Sequence, residues 1–472
     1  MRSQSFTASA PIIVTTLEPN VTAAPVKPVS VLFPVPTATA PTATKNANWI
    51  VMPAVQAAIQ RRYLGMTDRA YRDTIRSALR LGGRGIEDSG EMVMKIDRID
   101  AWICHFPLPA PFSPSWVPGL AMQNSSAVVY RVRTDEGLDG YAGWIAYADE
   151  ARGPVNLMRA FLTGRDPTRP KELRPLLETA VRVLGQRVWF VETAIYDLAA
   201  KAAGLPLYRY LGGGRDRVPA YASFGELRKP RQRADDAIAA IEHGFKAIKL
   251  RPRHDTMAED VDEVRTVREA VGEDLVIATD ANQGWRVDTF ATGPPVRWDF
   301  KRALATARAY EEFGVAWLEE PLDQFDFEGY RRLRDQTTTP IAGGELAGDV
   351  WPLREMIERR ALDIVQPDAT FTGGITGALE IASMARHFGL DFAPHTWSNG
   401  LGLLANLHVL AASHGVWLEY PYDPPGWVPE ARDAMLETPI RVEADGTVTL
   451  PQEPGLGIEL DIERIEAHGT AI

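Results

Sequence analysis

From Val218 onward the sequence repeats one unit, a short apolar run followed by an amphipathic helical segment. The apolar runs fall at residues 220–224, 247–251, 275–280, 316–319, 341–345, 364–368, 392–395 and 416–419. The helical period between them is clearest at 256–270, 301–312, 350–360 and 375–387. Runs this short read as buried parallel strands, because parallel sheets are covered on both faces. Strand–helix alternation sustained over this many units implies a closed barrel.

Three successive runs, the third to the fifth, end in an acid: Asp280, Glu319 and Glu345, which are 39 and then 26 residues apart. The C-terminal ends of barrel strands converge on one face, where three carboxylates can surround a hard cation such as magnesium. A single acid at a strand end is usually a helix cap or a salt-bridge partner; three in register with the barrel repeat are not explained that way. Alternation points Lys249 and Arg251 to the same barrel mouth, and Asn282 lies two residues past Asp280. The sixth and seventh runs end in Asp368 and His395. An Asp that accepts the imidazole N–H fixes its tautomer and makes a general base or acid. Glu419, closing the eighth run, reads either as a hydrogen-bond donor to an oxyanion or as a barrel-layer residue.

Acidic residues outnumber Lys and Arg by 62 to 51, which argues against nucleic acid as a partner. The single cysteine, Cys104, excludes an intrachain disulfide framework and fits a reducing compartment, the cytoplasm. It has no basic partner in sequence and reads as a core residue. No apolar run reaches about 18 residues, so no membrane span is expected.

Residues 1–91 read as a disordered or non-native N-terminal extension. Their first half is rich in Ala, Thr, Pro and Val with few charges and no period. Only Arg2 offers a positive n-region, and Pro11 and Pro25 interrupt the apolar stretch, unlike a signal peptide. A strand-like alternation first appears at Met94-Lys95-Ile96-Asp97-Arg98-Ile99. The expected native start is therefore Met92 or Met94, and Gly90-Glu91 can be encoded as a ribosome-binding sequence. A mitochondrial-type transit peptide is the rival reading, and N-terminal sequencing of protein from its source decides between them. Residues 94–215 read as an α+β domain with strands at 95–104, 126–134 and 140–145 and a helix at 187–203. The barrel occupies 216–440, and 441–472 form a segment returning to the first domain.

The motifs Lys249-Leu250-Arg251, Asp280-Ala281-Asn282, Glu319-Glu320-Pro321, Gly344-Glu345, Gln366-Pro367-Asp368 and His395-Thr396-Trp397 are specific in combination. On them the chain resembles the mandelate racemase subgroup of the enolase superfamily, from about Met94 to Glu466. The resemblance implies an α/β fold: a modified (β/α)7β barrel of the TIM type, with an N-terminal α+β capping domain completed by the C-terminal tail. It implies that Asp280, Glu319 and Glu345 bind one Mg2+ per active site and that Asp368 and His395 form the catalytic dyad. It further implies that the metal binds the substrate carboxylate while Glu419 and Lys249 hold its other oxygen. A loop at 112–119 would close over the substrate, and assembly into homo-oligomers from dimer to octamer is compatible with the family. One departure matters. The racemase itself carries Lys-x-Lys on its second strand, and here the second position is Arg251, which is effectively always protonated and is no base.

The expected function is abstraction of the proton alpha to a carboxylate of a sugar acid, a small-molecule partner. His395 takes the proton, and Lys249 and Arg251 stabilise the enediolate with the metal. Loss of the 3-hydroxyl then gives a 2-keto-3-deoxy acid. Epimerisation or racemisation, or lactone cycloisomerisation, needs the same enolisation with a different second step. A non-catalytic metal-binding homologue is opposed by the competent residue at every recognised position. Trp397, Gln283, Trp285 and Asn399 lie in loops where they can contact hydroxyls. His254 reads either as a further substrate contact or as an exposed loop histidine. Specificity is expected in the loops around Trp116, Met122, Gln123 and His254, with an insertion at 294–299 shaping the pocket or the oligomer surface.

Overall fold

The computed structural model describes residues 94–145, 151–285 and 296–472. The readings made for residues 1–91 and for the first part of the 294–299 insertion lie outside the described residues. No helix among the described residues is long and apolar enough to cross a membrane.

The chain begins with an antiparallel sheet of β1 (Ile96–Phe112), β2 (Met122–Thr134) and β3 (Asp139–Ile145). The turn between β2 and β3 is closed by Thr134 N–H donating to Leu138 O, with Gly137 supplying the left-handed φ of 84°. β1 runs eight residues beyond its expected end at Cys104 because Pro107, Pro109 and Pro111 make that stretch read as loop. Spaced by two, these prolines put their missing donors on one edge of the strand, where proline is tolerated. One face of the sheet packs on helices Arg152–Leu162, Pro170–Glu178 and Val191–Ala202, with Ile103, Val128, Tyr130, Leu162, Leu177 and Ile195 in a shared core. The last helix starts four residues later than its apolar period suggests. Val188, Trp189 and Phe190 continue the pattern as a buried turn.

The barrel follows as β4 (Arg217–Ser223), β5 (Ala247–Leu250), β6 (Val276–Asp280), β7 (Leu318–Glu319), β8 (Ile341–Gly343), β9 (Ile364–Val365), β10 (Asp391–Phe392) and β11 (Leu418–Pro421). A helix lies between each pair, and neighbouring strands pair in parallel from β4 through β10, with β11 on the other side of β4. Val416 N–H donates to Phe392 O across the remaining gap, which closes the ring. The (β/α)7β barrel under an α+β cap is the architecture the sequence implied.

Alternation explains how the barrel positions its site. Tyr221, Ala247, Ala278, Trp317, Ala342, Ile364 and Ala393 form one interior cluster with Trp417 packed against it. Two residues further along the same strands come Ser223, Lys249, Asp280, Glu319, Gln366, His395 and Glu419. Side chains two apart share a face, so each of these stands one layer above the apolar plug.

The 441–472 segment, read from sequence as returning to the first domain, divides. Its strand β12 (Thr447–Thr449) pairs antiparallel with β4 of the barrel. Its later part contacts the first domain: Leu456 N–H donates to Asp197, Glu459 accepts from Tyr141 of β3, and after the helix Ile462–His468 the strand β13 (Gly469–Ala471) pairs with β1 at Trp102–Cys104.

Candidate active site

Asp280, Glu319 and Glu345 each offer an oxygen, and these atoms lie within 4.8 Å of one another. Asp280 and Glu319 are paired neighbours on β6 and β7. Glu345 reaches the same place by a different route. Gly344, with φ 111°, breaks the alternation after β8, so the residue following it enters the site. A Cβ on Gly344 would meet Leu353 Cδ2 at 2.2 Å.

Two cations are built into the floor. Lys249 Nζ lies 2.8 Å from Glu319 Oε1, 2.7 Å from Glu419 Oε1 and 3.6 Å from Asp280 Oδ2. Arg251 donates to Asp280, to Asn282 Oδ1 at 3.1 Å, to Ser223 Oγ at 3.2 Å and to Phe224 O at 2.8 Å. Glu319 Oε2 accepts from Gln366 Nε2 at 2.7 Å and from Trp317 Nε1 at 3.2 Å. Burial pushes the Glu319 carboxyl up, and Lys249 opposes it. Burial likewise pushes Glu345 up to about 7, against the pull of His395.

Glu419 lies beside both cations and the histidine, 2.7 Å from Lys249, 3.6 Å from Arg251 and 3.9 Å from His395. Burial alone would raise its carboxyl, but Lys249, His395 and Arg251 outweigh that and hold it well below the ordinary range. It is an acceptor, taking Ser223 Oγ–H at 2.7 Å and Thr396 N–H at 2.7 Å.

The site fits a divalent cation. Asp280, Glu319, Glu320, Glu345 and Glu419 are all buried, against only Lys249 and Arg251 as fixed positive charges in the same place. Buried like charges are costly unless compensated. Glu345 Oε2 is buried without a hydrogen-bond partner. Three hard oxygen donors suit Mg2+ rather than a softer metal.

Across the mouth, His395 Nδ1 donates to Asp368 Oδ2 at 3.1 Å, and its Nε2 lies 3.5 Å from Glu345 Oε2. Burial lowers the imidazole, but Glu345, Glu419 and the Asp368 bond outweigh it and hold the pKa up at about 10. Asp368 is itself fixed: its Oδ1 accepts from Thr370 N–H and Oγ–H and from Asn406 Nδ2.

A cavity of about 250 Å³ opens over these groups, lined among others by Arg251, Asn282, Glu345, Asp368 and His395. Trp116 and Trp397 line it too, with ring centres 4.6 Å apart, and the Arg251 guanidinium sits 4.9 Å from Trp116 and 5.6 Å from Trp397. The 112–119 loop that carries Trp116 is docked on the barrel, Ser115 N–H donating to Gly225 O and Ser115 O accepting from Arg253.

Two expected substrate contacts lie elsewhere. His254 is not part of the cavity wall; its Nε2 pairs with Glu263 Oε2 at 2.6 Å, because the helix Met257–Val271 turns Glu263 back under the loop. Gln283 spends both amide ends on backbone, at Trp298 N and Ala281 O. Asn399 lines the cavity, but its Oδ1 caps the helix Gly400–Ala411. Ser223, Gln366, Thr370 and Asn406 are among the site residues that sequence reasoning missed. Ser223 and Gln366 had a signal, standing two positions beyond barrel-core residues.

The profile described as enolase C-terminal domain-like matches residues 232–465. The profile of the mandelate racemase/muconate lactonizing enzyme N-terminal domain matches 100–212. The chain is 31% identical over 353 residues to an arabinonate dehydratase of Saccharolobus solfataricus, covering 72% of this chain and 90% of that protein. It is 27% identical over 384 residues to a D-galactarolactone cycloisomerase of Agrobacterium fabrum, covering 78% and 97%. The crystal structure of L-talarate dehydratase from a Polaromonas species, complexed with Mg and L-glucarate, superposes with a TM-score of 0.68 at 29% identity, covering 80% of this chain and 99% of that one.

Proposed function

The chain belongs to the mandelate racemase/muconate lactonizing enzyme family of the enolase superfamily, and we propose that it is a Mg2+-dependent dehydratase of an acid sugar. The observation that carries this reading is the His395–Asp368 pair facing a buried three-carboxylate cluster across one cavity. Asp280, Glu319 and Glu345 would hold the cation, which supplies fixed positive charge beside the substrate carboxylate.

The chain's own residues do the rest. Asp368 fixes the His395 tautomer. With Glu345 engaged on the cation, the carboxylate pull that most raises the imidazole would be cancelled, leaving Nε2 to take the alpha proton. The Cα–H electron pair moves into the carboxylate, and Lys249 and Arg251 stabilise the charge that develops there. His395 Nε2–H then returns its proton to the 3-hydroxyl. The C3–O bond breaks, water leaves, and the resulting enol tautomerises to a 2-keto-3-deoxy acid. Arg251 acts as a fixed charge and donor, so His395 is the single strong base. Glu419, held ionised, orients Lys249 and Thr396 rather than donating a proton.

The first test is a proton NMR screen of aldonates, aldarates and their lactones with Mg2+ in D2O. The expected outcome is a 2-keto-3-deoxy product from at least one acid, lost by about 10²–10⁴-fold in His395→Asn. Alpha-deuterium incorporation without dehydration would replace the reading with an epimerase. Opening of a lactone would favour cycloisomerisation, the reading that similarity to the galactarolactone enzyme supports.

A further inference from the structure

Arg187 is a cavity-lining cation that the chemistry above leaves unused. Arg251 is committed to Asp280, Asn282 and Ser223. Arg187 pairs with no acid among the described residues, and it is held by rings instead. Its guanidinium carbon lies 5.8 Å from the Trp144 ring centre and 5.9 Å from that of Phe371. Those two rings stack on each other at 5.8 Å and 17°. Contact with ring faces does not use the N–H fork, so the donors stay available for a carboxylate.

Its place relative to the reacting end follows from the topology. Phe371 N–H donates to Asp368 O at 2.9 Å, so Arg187 belongs to the side of the mouth built after β9. Arg251 follows β5. In a closed order of eight strands, β5 and β9 stand four apart and face each other across the barrel. Between them, Ser398 Oγ and Trp427 Nε1 are buried, line the same cavity and have no hydrogen-bond partner in the protein. Such atoms can be satisfied by the hydroxyl groups of a ligand in the cavity.

We propose that Arg187 binds a second carboxylate at the end of the substrate remote from the enolised one, so that the preferred acid sugar is a dicarboxylate rather than a monocarboxylate. Ser398 and Trp427 take hydroxyl groups in between. This rests on the enolisation reading for the first carboxylate.

The test compares matched pairs of aldarate and aldonate of the same configuration on the full-length, Mg2+-loaded protein, with Arg187→Gln and Arg187→Lys. The wild type should show kcat/KM at least about tenfold higher for the diacid, the scale of one charge-assisted carboxylate contact. Arg187→Gln should raise KM for the diacid about tenfold or more with kcat within about threefold, and Arg187→Lys should recover part of the loss. KM for the monoacid should move far less than KM for the diacid. A wild type that prefers the monoacid, or a Gln variant that weakens both series alike, overturns the role of Arg187 while leaving the dehydratase reading intact. No turnover of either series by wild type, with His395→Asn indistinguishable from it, overturns the enolisation reading and this inference with it.

Discussion

Ser223 joins residues that are far apart in sequence. Its hydroxyl donates to Glu419 Oε1 and accepts from Arg251 Nη2 and from Trp397 Nε1 at 2.9 Å. One oxygen therefore registers the aromatic wall, the guanidinium and the carboxylate against each other. Ser223→Ala removes the donor from a buried, ionised Glu419, and kcat/KM should fall about tenfold, with Mg2+ affinity by calorimetry changed far less. An equal loss of metal affinity would show that the hydroxyl supports the whole site instead. The acids and the histidine were legible because each ends an apolar run, where a charge has no structural excuse. Asn406 was not, since a small polar residue in an apolar run is ordinary and its partner Asp368 is 38 residues away. His254 misled for the converse reason: its neighbour Glu263 sits on the following helix, and only the fold turns it inward.

At the scale of elements, the barrel strands are as short as two residues, yet the period of two survives through them and into the loops. That persistence is why strand positions could be read from apolar runs, while strand ends could not. β8 is the exception. There Gly344 inserts a left-handed step so that Glu345 rather than its predecessor faces the cluster. Gly344→Ala strains the backbone and drives a methyl into Leu353, at about 1–3 kcal/mol. The expected outcome is a Mg2+ affinity weakened at least about tenfold, with the other strands retained by far-UV circular dichroism. Unchanged affinity would mean that Glu345 is not needed for the metal. The length of β1 was hidden by its prolines, which mimic a loop in any reading based on composition.

For the whole molecule, the sequence could announce a cap and a barrel but not how they are fastened. Glu192, fully buried on the cap helix Val191–Ala202, accepts from Thr376 N–H and Oγ–H on the barrel and from Arg174. His408 makes a second fastening: Nδ1 accepts from Tyr208 N–H, and Nε2–H donates to Leu456 O. Both ring nitrogens are thus engaged in the neutral form, and burial lowers the pKa from 6.5 to about 4. A folded-state pKa below the unfolded one gives stability that is complete above pH 6.5 and is lost as pH falls towards 4, up to ~3 kcal/mol. Denaturant midpoints at pH about 7.5 and about 4.5 should therefore differ less in His408→Gln than in wild type; an equal difference would remove His408 from the acid response. The tail strand has a further consequence. Cys104 on β1 packs against Ile465, 361 residues later, and β13 covers the neighbouring edge of β1. On the ribosome the first strand therefore emerges long before its edge partner exists. Until residues 469–471 are made, that edge of β1 is an open template for other chains, the kind of exposed strand edge that invites aggregation.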